Sequence, residues 1–141
     1  MADRTAWTTA TPTVGKGWSR QTKALGGAIP LVTGDLALNK TVSLFKVPAN
    51  FTIVSASVYV TDMDTNGSPA LVFSIGDANT AARIVSVSTA GQAGGAATIV
   101  AGLPGYQYTA ETEILWTTTT ASTTAAAGTV TVYLIGYLDC F

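Results

Sequence analysis

The sequence predicts an all-β protein, a two-sheet antiparallel β-sandwich with a jelly-roll topology preferred and an immunoglobulin-like Greek key as the alternative. Three observations carry this. Short stretches alternate apolar and polar residues at every second position. They recur at spacings near ten residues, separated by Gly, Pro, Asn and Asp. No stretch between them shows the period of an amphipathic helix, which a parallel α/β fold would need. A length of 141 residues fits one domain, because a chain of roughly 150 residues buries about 70% of its unfolded surface.

Residues 1–27 show neither strand nor helix period and read as an extended N-terminal arm, leaving 28–141 as the sandwich domain. Four of the seven basic residues, Arg4, Lys16, Arg20 and Lys23, fall in this stretch, so it is locally cationic. It also carries Trp7 and Trp18, and indoles dock somewhere because an exposed one forgoes a large buried area. They cover either this domain's own core or a neighbouring subunit.

After Gly26-Gly27, residues 30–36 read as a first edge strand and 41–47 as a second, followed by a turn at Pro48-Ala49-Asn50. Residues 51–61 give the clearest strand, with Val54, Ala56, Val58 and Val60 on one face and Ser55, Ser57, Tyr59 and Thr61 on the other. A turn-rich loop, 62–69, leads into 70–75 with Leu71, Phe73 and Ile75 inward. Gly76-Asp77-Ala78-Asn79 then turns the chain into 83–88. Residues 89–95 are too glycine-rich for a stable helix and read as a long loop with room for one helical turn. Further strands are expected at 98–101, around 106–108, and over 111–119, where Thr112, Ile114, Trp116 and Thr118 share a face. Residues 117–127 are a Thr/Ala run expected to be a loop or soft strand end. Residues 129–138 place Val130, Val132, Leu134 and Leu138 on one side and Tyr133, Ile135 and Tyr137 on the other, so both faces of this strand need cover.

Composition narrows the function. The chain has no His, a single Cys, 48% hydrophobic and 11% charged residues, which leaves it poorly equipped for acid–base or nucleophilic chemistry; we expect no enzyme and no cofactor. A net charge of −1 gives no polybasic footprint, so no nucleic-acid partner is expected. The apolar runs are broken before about 18 residues accumulate and the N-terminus has no signal-peptide core, so neither export nor membrane insertion is expected. Cys140 has no second cysteine to pair with inside the chain. A mean hydropathy of +0.37 with so few charges points to a surface coated with Thr and Ser and covered in part by partners.

Four groups of residues are candidate sites. Asp62, Asp64 and Asn66 with Gly67 reproduce the first half of an EF-hand calcium loop, but Phe73 stands where the bidentate Glu belongs and Pro69 interrupts it; a turn explains the same residues, and no metal is expected. Glu111 and Glu113 share a strand face without the cleft that glycosidase chemistry requires, so they read as a solvated edge. Gly91 to Gly95 matches no phosphate-binding loop. Tyr106, Tyr108, Trp116, Tyr133 and Tyr137 supply rings that stack on sugars but equally serve interfaces and cores.

The composition, the cationic arm and two segments, Phe45-Lys-Val-Pro-Ala-Asn-Phe-Thr-Ile-Val-Ser-Ala-Ser-Val-Tyr-Val-Thr-Asp-Met-Asp-Thr65 and Leu71-Val-Phe-Ser-Ile-Gly-Asp-Ala-Asn-Thr-Ala-Ala-Arg83, resemble the β-sandwich decoration, or cement, proteins on the heads of tailed bacteriophages. The resemblance implies a protein made in the host bacterial cytoplasm that binds the outer surface of the virion capsid. It would bridge the major capsid protein lattice without catalysing a reaction. Trp7, Trp18, Arg20 and Lys23 are then the expected partner contacts, and Tyr133 and Tyr137 the expected self-association residues of a dimer or trimer. The alternative is a carbohydrate- or receptor-binding domain of a tail fibre or adhesin, with Trp116 as the stacking ring.

Overall fold

In the computed structural model, residues 3–5 and 22–138 are described. They form ten strands: β1 (Arg4–Thr5), β2 (Lys23–Leu31), β3 (Thr41–Val47), β4 (Phe51–Val60), β5 (Val72–Gly76), β6 (Val85–Ser88), β7 (Gly95–Ala97), β8 (Gln107–Tyr108), β9 (Thr112–Thr120) and β10 (Gly128–Leu138). The first sheet has the order β1-β3-β9-β5-β6 and the second β2-β10-β4-β7, with β8 also paired to β4. The antiparallel pairs are nested: β5 with β6, β4 with β7, β3 with β9, β2 with β10. A long hairpin folded over on itself produces this nesting, and it is the jelly-roll, the topology preferred from the sequence.

Alternation puts the core between the sheets. Val130, Val132, Leu134 and Leu138 of β10 are buried, as are Ile114, Trp116 and Thr118 of β9 and Leu71, Phe73 and Ile75 in and just before β5. Trp116 is fully buried and stacks on Phe73 with ring centroids 4.1 Å apart, a geometry worth about 1 kcal/mol beyond area burial. Its indole N–H donates to the Thr118 hydroxyl, which in turn donates to the Asp35 carbonyl. Among the described residues no buried side-chain nitrogen or oxygen lacks a partner.

The structure departs from the sequence reading at four places. The first long strand runs from Lys23 to Leu31 rather than over 30–36, and residues 33–36 form a 3-10 turn. Gly26 and Gly27, which read as the end of the arm, lie within β2 at φ 109° and 149°; a Cβ on Gly26 would sit 2.0 Å from the Val132 carbonyl oxygen. Residues 23–27 are therefore part of the sheet. In β4 the alternation breaks: Val54 is exposed while Phe51, Ile53, Val58 and Val60 are buried. The cause is a bulge opposite Ile135/Gly136, where Ser55 pairs Ile135 and Ile53 pairs Gly136, so Val54 is skipped and the phase shifts. Gly136 permits the close approach, since a Cβ there would lie 1.9 Å from the Thr52 carbonyl oxygen. Finally, the strand expected at 98–101 is instead β7 at Gly95–Ala97, starting at the last residue of the expected loop and preceded by a 3-10 turn at Ala90–Gln92.

Candidate interaction surface

Both ends of the sandwich bury aspartates, Asp35 and Asp64 at one and Asp77 at the other. At one end, the loops after β2, β4, β6 and β9 bond to one another: Met63 N–H to Gly91 C=O, Thr65 N–H to Thr124 C=O, and Ser122 N–H to Leu36 C=O. Asp64 organises this end. Its Oδ1 accepts N–H from Thr124 (2.9 Å) and Asn66 (3.4 Å), and its Oδ2 accepts from Ala70 (2.7 Å), Thr123 (2.9 Å) and Leu71 (3.1 Å). Burial by itself raises a carboxyl pKa, but the converging backbone amides outweigh it and hold Asp64 far below the usual carboxylate range. A carboxylate whose oxygens face this many donors presents no lone pairs to a cation. The Asp62-Asp64-Asn66 pattern is thus a chain of side-chain turns, with Asp62 accepting from Asp64 N–H and Asn66 from Ser68 N–H.

The same end holds the first described residues. Arg4 donates from Nε (2.9 Å) and Nη2 (2.6 Å) to the buried Asp35 carboxylate, and Nη2 also reaches the Pro30 carbonyl. The Asp3 carboxylate accepts from Thr41 N–H at 2.9 Å. β1 pairs parallel to β3 and so lies along that edge of the first sheet, where an open strand invites unwanted pairing.

At the opposite end Asp77 accepts from Asn79 and Thr80 N–H through Oδ1, and from the Tyr108 hydroxyl (3.0 Å) and Arg83 Nε (2.5 Å) through Oδ2. Burial raises its pKa and these donors, Arg83 foremost, bring it below the ordinary value; burial and the Asp77 charge push the Tyr108 phenol well above its own. The Arg83 guanidinium lies 4.0 Å over the Tyr106 ring, which meets Tyr108 edge-on at 4.9 Å. Tyr106 contributes to the lining of two surface depressions.

The two outer faces differ in chemistry. In the second sheet, register aligns the outward positions in rows: Ala28, Thr131, Tyr59 and Ala96; Gly26, Tyr133 and Ser57; Ala24, Ile135 and Ser55; Tyr137, Thr52 and Gln107. No charged side chain stands in these rows. Tyr59 and Tyr133 are diagonal neighbours across β4 and β10 and remain 60% and 42% exposed. The first sheet instead places Lys46 opposite Glu113, with Lys46 Nζ 3.6 Å from Glu111, beside a depression lined by Asn79, Glu111, Glu113 and Leu115. Glu111 is exposed and pairs with a lysine, so the two glutamates do not form the across-cleft carboxylate pair of a glycosidase.

Of the residues singled out from sequence, Tyr133 and Tyr137 lie on one outer face, the first exposed and the second half-buried, and Lys23 sits at the start of β2, half-buried. Trp7, Trp18, Arg20 and Cys140 lie outside the described residues. Trp116 cannot stack on a sugar because the core encloses it, and Tyr108 is likewise buried against Asp77. Sequence reasoning missed Tyr59 as a surface residue of note. Its alternation with Val58 and Val60 signals an outward ring, but only the register sets it beside Tyr133.

No family model and no curated protein sequence matches the chain. Solved structures do. A chain in the capsid asymmetric unit of cyanophage Pam1 superposes with a TM-score of 0.72 at 22% identity, covering 94% of each chain. A chain in the capsid of Ralstonia phage GP4 superposes with a TM-score of 0.75 at 20% identity, covering 100% of this chain and 99% of that one. At these identities the likeness establishes a shared fold.

Proposed function

We propose that this chain is a structural protein of a tailed-phage virion that binds the outer capsid surface and cements neighbouring major capsid subunits. The observation that carries the reading is the likeness over almost the full length to chains found in two phage capsids. The composition, short of groups for catalysis, supports a non-enzymatic role. Residues Trp7, Trp18 and Arg20 of the N-terminal arm, with Lys23 where the arm enters β2, are the proposed lattice contacts. The uncharged face around Tyr133, Tyr137 and Tyr59 is the proposed self-association surface of a dimer or trimer. Such a face is buried without desolvating any charge, and each Å² of apolar area removed from water contributes about 25 cal/mol. Repetition over a shell then multiplies a modest contact into tight retention.

The test is sedimentation of the purified protein with capsids that lack it. Binding to the capsid pellet, together with greater resistance of the shell to heat or chelation, is the expected result; protein left wholly in the supernatant would remove the proposal. Truncating the whole arm is a poor probe, because losing Arg4 would strand the buried Asp35 carboxylate. Trp7→Ala with Trp18→Ala avoids this, and should abolish capsid binding while thermal melting is unchanged. The glycan-binding alternative loses its stacking residue, since Trp116 is enclosed.

A further inference from the structure

We propose that Asn66-Gly67 is a site of spontaneous deamidation, and that its conversion slowly releases the Asp64-centred end of the sandwich. This chemistry goes beyond the virion role and stands independently of it. The residues involved spell half of a calcium loop, and the structure gives them a different use.

Three features converge on Asn66. Its Oδ1 accepts the Ser68 N–H at 2.8 Å, a turn that folds the side-chain carboxamide back over the peptide joining Asn66 to Gly67. Gly67 is exposed and has no side chain of its own to hinder the approach of Asn66 Cγ to its nitrogen. The other asparagines of the described residues are followed by Lys40, Phe51 and Thr80, whose side chains crowd the same approach. The chemistry needs only water. The Gly67 nitrogen, having given its proton to base, attacks Cγ of Asn66; the Cγ–Nδ2 bond breaks and the nitrogen departs as ammonia after taking a proton from solvent, leaving a five-membered succinimide. Water then opens the ring. Attack at Cγ gives aspartate with the normal backbone, and attack at the main-chain carbonyl gives isoaspartate, whose backbone runs through the side-chain methylene.

Either product acts on Asp64. Asn66 Nδ2 now donates to the Thr124 hydroxyl at 2.9 Å, tying the β4–β5 loop to the β9–β10 loop, and an acid has no such donor at neutral pH. The new carboxylate brings a third negative charge, after Asp62 and Asp64, to the loop whose Asn66 N–H bonds to Asp64. Isoaspartate also lengthens the main chain within the segment that delivers the Ala70 and Leu71 amides to Asp64.

The experiment ages the full chain at mildly alkaline pH, maps its peptides by mass spectrometry, and follows amide exchange at Thr123 and Thr124. Acid and isoaspartate should accumulate at residue 66 several-fold faster than at Asn39, Asn50 or Asn79, and exchange protection at Thr123 and Thr124 should fall in step. Gly67→Ala, which the open space around Gly67 accommodates, should slow conversion several-fold and preserve protection. Conversion at residue 66 no faster than at the other asparagines would overturn the proposal. So would an undiminished rate in Gly67→Ala, or full protection of Thr123 and Thr124 in converted protein.

Discussion

Asp64 and Asp77, buried at opposite ends of the sandwich, have their charges met by opposite means. At one end Asp64 is met by backbone amides alone, although its neighbour Asp35 takes the Arg4 guanidinium; at the other, Asp77 shares its charge between two amides, a phenol and a guanidinium. β4 runs between the two ends, and ten residues at roughly 3.3 Å each set them about 30 Å apart. Amides of loops that already bond to each other form a rigid socket, so the Asp64 end is closed. Side-chain donors keep their own freedom: the Arg83 side chain is still 20% exposed, and depressions remain around Tyr106. The lesson is that one residue type locks the segments around it or leaves them adaptable according to whether main chain or side chains neutralise it.

The contrast can be broken by substitution. Asp64→Asn should have the largest effect, since an amide nitrogen would point at backbone N–H donors and no neighbouring side chain can turn to compensate. The expected result is a larger loss of melting temperature than Asp77→Asn or Tyr108→Phe causes, with exchange at Thr123 and Thr124 rising first. Asp77→Asn should be milder, because Arg83 can swing into solvent; about 2 kcal/mol, or about 6 °C in Tm, is expected by calorimetry. Equal losses for both aspartates would show that main-chain and side-chain neutralisation are equivalent.

Acid sharpens the comparison. Both carboxyls titrate below their ordinary value of about 3.9 when folded. Their contribution is therefore fully present above that value and is lost as pH falls through each folded pKa. Amide signals of Asn79 and Thr80 should respond to falling pH before those of Thr123 and Thr124, and the reverse order would contradict the rigid-socket account. Tyr108→Phe should give the smallest change, about 1 kcal/mol from one lost hydrogen bond with the ring retained, read as about 3 °C in Tm.

The sandwich itself was legible because side-chain alternation is local. The bounds of β3, the inward set of β10 and the shared face of Ile114, Trp116 and Thr118 all follow from it. What was not legible depends on partners distant in sequence. The bulge that exposes Val54 exists because Gly136, more than eighty residues on, lets β10 press against Thr52. Gly26 and Gly27 read as the end of an arm until β10 supplies the ladder beside them. Aspartates in turns are common, so nothing in the letters marked Asp64 or Asp77 as buried nodes, and the tyrosine face needed cross-strand register before Tyr59 joined Tyr133.

The nesting of β2 against β10 also governs when this molecule comes into being. The second sheet has β10 in its middle, so β2 and β4 have no ladder to share until residues 128–138 have been synthesised. A ribosome-bound fragment lacking them carries Tyr59 but not Tyr133, and has no flat face on which to present it.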